Sequence, residues 1–139
     1  MGSRIACHFA NIGVEVLLLD IAPRELTEEE TKKGLTLDHP AVKNRIVNSA
    51  FDATLKSNPA SLFSKKFASR IKLGNFTDDM SKIKSYDWTI EVVVENLDIK
   101  KKVYEEVEKH RTPGTLITSN TSGIPIHLMA EEVQLFYFF

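Results

Sequence analysis

The stretch that most constrains the fold is MGSRIACHFANIGVEVLLLD, Met1 to Asp20. Gly2 opens a helix, and Ile5, Phe9 and Ile12 recur at helical spacing, which predicts its buried stripe. Gly13 stands where a helix ends, since glycine adopts the left-handed conformation without a Cβ clash. Val14 to Leu19 is a short apolar run, as expected of a strand covered on both faces in a parallel sheet. Asp20 closes it, and a carboxylate at such a tip can accept hydrogen bonds from both hydroxyls of an adenosine ribose while repelling a 2′-phosphate. An ordinary α/β unit has the same helix–Gly–strand–acid order, so this stretch alone leaves both readings open. A dinucleotide unit also needs a strand and G-x-G-x-x-G before the helix. Of those glycines only the last has a counterpart, Gly2. A chain lacking the first strand, and therefore a fragment, is the expectation.

Pro23 stops the strand ladder. Glu25 to Lys33 is a charged helix with acids first and lysines last, matching the helix dipole, and reads as a solvated face. Ala41 to Leu55 is predicted as one amphipathic helix burying Val42, Ile46, Val47, Ala50, Phe51 and Leu55. Residues 24–70 thus form a long helical insertion, far beyond the dozen or so residues of a minimal crossover. Beyond it lie a strand at Arg70 to Leu73, a brief helix through Ile83 and a buried strand at Trp88 to Val94. A helix follows from Leu97 to Lys109 with Val103, Tyr104 and Val107 inward, then a strand at Leu116 to Thr118 and a loop, Ser119 to Gly123. This alternation predicts a doubly wound parallel sheet, with Asp20, Glu95 and the Ser119–Ser122 loop at carboxyl ends of strands.

With 18 basic and 19 acidic residues the chain offers no charge excess for nucleic acid, and no apolar run reaches the ~20 residues of a membrane span. The single cysteine, Cys7, reads as a buried thiol, consistent with a cytoplasmic protein. His8, His39, His110 and His127 lack metal-ligand spacing, so no metal site is expected.

Three stretches together make the chain resemble the NAD-binding domain of the 3-hydroxyacyl-CoA dehydrogenases: the opening twenty residues, IEVVVENLDIKKKV (Ile90 to Val103) and SNTSGIPI (Ser119 to Ile126). The resemblance runs from Met1 to about Glu131 and implies a Rossmann-like domain truncated at both ends. It implies NAD as cofactor, with Gly2 and Asp20 on the adenosine side, Glu95 and Lys100 lining the nicotinamide side, Val92 against the cofactor and Asn120 shaping the loop. Lys100 is expected at the cofactor rim, within reach of a hydroxyl or phosphate. Ser122 is the implied catalytic contact, bonding the 3-oxygen of the substrate as hydride moves. Read without the resemblance, Glu95 and Lys100 are helix-entry charges and Ser122 a loop-capping hydroxyl.

The parent reaction is hydride transfer between NAD and an L-3-hydroxyacyl-CoA in fatty acid β-oxidation. The family's general base is a histidine on a strand beyond the serine loop, and no residue from Glu131 to Phe139 can replace it. His127 lies too close to the loop and reads as a surface residue. Residues 131–139 form an atypical tail, and the chain is expected to be inactive alone. The alternative is a non-catalytic remnant acting as a nucleotide- or protein-binding module. The exposed sheet edge or the tail leaves room for homo-oligomers, with acyl-CoA a partner of the complete enzyme. An unrelated Rossmann-like reductase is disfavoured by the serine loop.

Overall fold

The computed structural model describes residues 1–130, and the expectation of an atypical tail at 131–139 lies outside them. The chain divides into two units, Met1–Asp79 and the residues from Met80 onward. Each carries a two-stranded parallel sheet.

In the first unit, helix α1 (Gly2–Asn11) leads into strand β1 (Val16–Asp20). Gly13, at φ 95°, ends α1 as expected. The Gly13 amide donates to Ala10 O and the Val14 amide to Phe9 O, so the turn satisfies two helix-end carbonyls. The Arg70 guanidinium, stacked 4.2 Å from the Phe67 ring centroid, donates to Ala10 O as well. The buried face of α1 differs from the predicted stripe. Ala6, Cys7 and Ala10 are buried, Ile5 and Phe9 are only half-buried, and Ile12 is 63% exposed. The reason is close packing. The small side of the helix lies in a cluster with Phe51, Ile71, Val16 and Leu18, where larger side chains would hold it away. The buried Cys7 thiol has its pKa pushed up by that burial.

Between β1 and β2 (Ile71–Asn75) come α2 (Glu28–Lys32), α3 (Pro40–Lys43), α4 (Arg45–Leu55) and a 3-10 turn at Lys65–Arg70. The charged helix begins at Glu28 rather than Glu25 because Thr27 caps it. Its hydroxyl accepts from the Glu30 amide, while the Glu30 carboxylate accepts from the Thr27 amide. The single helix expected over 41–55 is two helices meeting at Asn44. There the backbone leaves helical geometry (φ −93°, ψ 5°) and the carboxamide accepts from Asn75 Nδ2 at 2.8 Å. The bend rotates the inward face, so Val47, Phe51 and Thr54 are buried with Val42, while Ala50 is exposed, Ile46 half-buried and Leu55 41% exposed. Thr54 is accommodated because its hydroxyl donates to Ala50 O and accepts from the Ser3 hydroxyl at 2.6 Å.

Strands β1 and β2 pair from Val16↔Ile71 to Asp20↔Asn75. The short helix α5 (Phe76–Asp79) follows β2 directly. Gly74 is required there, since a Cβ would lie 2.5 Å from Asp79 Oδ2. That oxygen accepts from the buried Asn75 amide at 2.9 Å.

The second unit comprises a 3-10 turn (Met80–Ser85), β3 (Trp88–Glu91), α6 (Leu97–His110), β4 (Leu116–Ser119) and α7 (Ile126–Ala130). Strands β3 and β4 pair in parallel from Trp88↔Leu116 to Glu91↔Ser119. β3 stops three residues short of the predicted Val94, because the Glu91 carboxylate turns back onto the Val93 amide. Asn96 caps α6, accepting from the Ile99 amide at 3.1 Å. Tyr104 and Val107 are buried as expected, and Val103 is half-buried. Where a single doubly wound sheet was expected, two separate parallel ladders are seen among the described residues.

Candidate functional site

In the first unit, Asp20 is the final residue of β1. Its Oδ1 accepts the Ile21 amide at 2.8 Å, which turns the carboxylate at the strand tip and leaves Oδ2 for other donors. Gly2 is the first residue of α1.

The second unit concentrates polar chemistry at the carboxyl ends of β3 and β4. Glu91, the last residue of β3, is 4% exposed. Its Oε1 accepts from the Val93 amide at 2.6 Å and from Lys100 Nζ at 2.9 Å. Its Oε2 accepts from Lys100 Nζ at 3.0 Å, Tyr104 Oη at 3.2 Å and Ser119 Oγ at 2.5 Å. A buried carboxylate is tolerable only with partners of this kind. Burial pushes the Tyr104 phenol up to about 12, against a hydrogen bond with Ser119 and reinforced by the adjacent Glu91 charge.

A second carboxylate, Glu95, grips the loop that follows β4. Its Oε1 accepts from the Thr121 hydroxyl, from the Gly123 amide at 2.9 Å and from the Ile124 amide at 3.2 Å. The Thr121 hydroxyl first, then the Gly123 amide, draw its pKa down to about 2, with Lys100 adding to the effect. Lys100 Nζ lies 3.5 Å from Glu95 Oε2 and so stands between the two acids.

The structure therefore brings Glu95, Lys100 and the serine loop together, but not with Lys100 at an open rim. Lys100 is 1% exposed. The expected position is corrected because the buried Glu91 charge draws the ammonium inward. Val92 is half-buried just past β3. The Asn120 amide donates to Glu91 O at 2.9 Å, continuing the β3–β4 contact into the loop. Ser122 is exposed within the loop, and His127 is exposed near the start of α7. Sequence reasoning missed Glu91 and Tyr104 as site-building residues. The available signal was an acid inside a β-branched run, which needs a partner if the strand is buried. No group of three or more metal-ligating side chains occurs among the described residues. No helix among them is long and apolar enough to cross a membrane.

Parallel strands joined through helices, with acidic and hydroxyl side chains at their carboxyl ends, define a Rossmann-like α/β protein of the nucleotide-binding class. Its kinship is specific. The 3-hydroxyacyl-CoA dehydrogenase, NAD binding domain, family matches residues 1–135, and the chain belongs to that family. NAD is the cofactor of this domain. A Bacillus subtilis protein named as a probable 3-hydroxyacyl-CoA dehydrogenase is 54% identical over 94% of this chain, which spans 17% of that protein. A Deinococcus radiodurans protein of the same name is 37% identical over 94% of the chain and 34% of its own length. Among solved structures, (S)-3-hydroxybutyryl-CoA dehydrogenase from Ralstonia eutropha is 26% identical with a TM-score of 0.59, covering 94% of this chain and 41% of that one. The chain thus spans about a third or less of the curated relatives it matches.

Proposed function

We propose that this chain is part of an oxidoreductase that transfers hydride between NAD and the C3 of an L-3-hydroxyacyl-CoA in fatty acid β-oxidation. The observation that carries the reading is the Ser119–Ile124 loop, held by Glu95 at the carboxyl end of a parallel strand pair. Such ends are where dinucleotide-binding sheets place their ligands.

The residues present fit the cofactor. The free oxygen of the Asp20 carboxylate is available to ribose hydroxyls and disfavours a 2′-phosphate. Gly2 lets the start of α1 approach a pyrophosphate. NAD, when bound, supplies the hydride acceptor. Val92, Glu95, Lys100 and Asn120 frame its nicotinamide side. Ser122 presents its hydroxyl to the 3-oxygen of the acyl-CoA. His127, exposed and just beyond the loop, is read as a surface residue and not as the family's histidine base. Residues 1–139 are a partial domain with a helical insertion at 24–70. They bind nucleotide but do not turn substrate over alone. The finer fold reading is a doubly wound parallel sheet lacking its first strand, supported by the parallel pairing within each ladder.

NADH titration of the chain, followed by fluorescence, tests the reading. Binding is expected, weakened by roughly ten- to a hundredfold by Asp20→Ala, in line with the ~1.5–3 kcal/mol of a hydrogen bond to a charged group. Loss of any NADH response in the parent chain would remove the dehydrogenase reading and leave a non-catalytic remnant.

A further inference from the structure

We propose that Glu91 is a positioning residue for this site: its buried carboxylate, which only accepts hydrogen bonds, fixes where the Lys100 ammonium sits and which way the Ser119 hydroxyl points, and so shapes the loop after β4. Glu91 is 4% exposed at the end of β3, and protic groups converge on both its oxygens. The Val93 amide and Lys100 Nζ reach Oε1 at 2.6 and 2.9 Å. Lys100 Nζ, Tyr104 Oη and Ser119 Oγ reach Oε2 at 3.0, 3.2 and 2.5 Å. A carboxylate paired with an ammonium has no proton to give, so every one of these partners must be the donor.

That polarity passes outward. Because the Ser119 hydroxyl donates to Glu91, its lone pairs are left to accept the Thr121 amide at 3.1 Å. The Glu91 carbonyl accepts the Asn120 amide at 2.9 Å, so the backbone and side chain of one residue grip the start of the loop. Lys100 is held on both Glu91 oxygens, and its longer contact, 3.5 Å, runs to Glu95 Oε2, on a side chain that is 44% exposed. Under the function proposed above, on which the consequence for the cofactor rests, that outer side of the ammonium faces NAD. A carboxamide at position 91 keeps the shape and loses the polarity. Since Nζ bridges both oxygens, either orientation of a Gln side chain sets its amino group within 3.0 Å of the ammonium, donor against donor. Lys100 must then withdraw. With the amino group on the Oε2 side, the Ser119 hydroxyl also loses its acceptor and turns away from the direction that serves Thr121.

The test is Glu91→Gln in the ¹⁵N-labelled chain, read by NADH titration, by hydrogen exchange of the loop amides and by water exchange of the Lys100 ammonium protons. The variant is expected to fold, with α1 and β1 at parental chemical shifts, and to bind NADH about tenfold more weakly, the loss of one hydrogen bond to a charged group. The Asn120 and Thr121 amides and the ammonium protons are expected to exchange about tenfold faster than in the parent, the equivalent of one weakened bond each. Parental affinity in the folded variant would overturn the proposal, because a carboxamide fills the same space and serves a merely structural role equally well. Weakened affinity with the loop and ammonium exchange unmoved would overturn it too. Ser119→Ala separates the two arms. Thr121 is expected to lose protection there, while the ammonium stays protected because Glu91 keeps both its bonds to Lys100. If the parent binds no NADH, the dehydrogenase reading fails, and the exchange measurements alone decide what Glu91 positions. Should Glu91→Gln not fold, Ser119→Ala carries the test, and parental protection of Thr121 in that variant would refute the proposal.

Discussion

Replacing Gly74 by alanine puts a Cβ 2.5 Å from Asp79 Oδ2, 2.7 Å from its Cγ and 2.9 Å from its Cβ. Rotating the Asp79 side chain relieves the first two contacts but not the third, so the β2–α5 backbone must also shift. Rotation also breaks the 2.9 Å bond from the Asn75 amide, and Asn75 is 1% exposed. An unsatisfied buried amide costs ~1–3 kcal/mol, and overpacking adds a similar amount. The expected loss is about 3 kcal/mol. With a urea m-value of about 2 kcal/mol per M, the midpoint followed by far-UV circular dichroism falls by roughly 1.5 M. Asp79→Ala alone loses the amide acceptor without the clash, so it should cost less. Because the two residues touch, adding Gly74→Ala to Asp79→Ala should cost about 1 kcal/mol or more below the additive sum. A Gly74→Ala midpoint within about 0.3 M of the parent, or strict additivity in the double variant, would refute this reasoning.

Other outcomes follow from the second unit. Glu95 has a lower pKa folded than unfolded, so the unfolded chain takes up its proton first and acid favours unfolding. Its contribution is complete above about pH 4.5 and is lost as pH falls toward 2, and the Gly123 and Ile124 amide shifts should titrate near 2. A midpoint near 4.5 would show that the loop does not hold this carboxylate. Tyr104 shifts the other way. The unfolded phenol loses its proton first, so the residue's contribution is full below pH 10 and is lost as pH rises toward 12, with tyrosinate absorbance reporting the step. Tyr104→Phe should cost about 1 kcal/mol, since Glu91 keeps its bonds to Val93, Lys100 and Ser119. Asn96→Ala should destabilise by about 1 kcal/mol in denaturant titration through loss of the Ile99 amide acceptor.

Much of this protein is local and was legible in the chain itself. Gly13 ends α1 and Asp20 ends β1, because a left-handed turn and a strand end depend on a few neighbouring residues. The order of strands and helices follows from periodicity and glycine or proline breaks. The motif residues from Glu95 to Ser122 were placed at strand ends for the same reason. Which side of an element is buried is a different kind of fact. Ala6, Cys7 and Ala10 displaced Ile5, Phe9 and Ile12 because the elements packed on α1 reward close approach over side-chain size. Asn44 broke a continuous helical pattern because its partner, Asn75, lies 31 residues away. Lys100 moved from an expected rim into the interior because Glu91 was waiting there. Burial of a charge is decided by what stands opposite it, and that partner comes into place only when β3, β4 and α6 pack together.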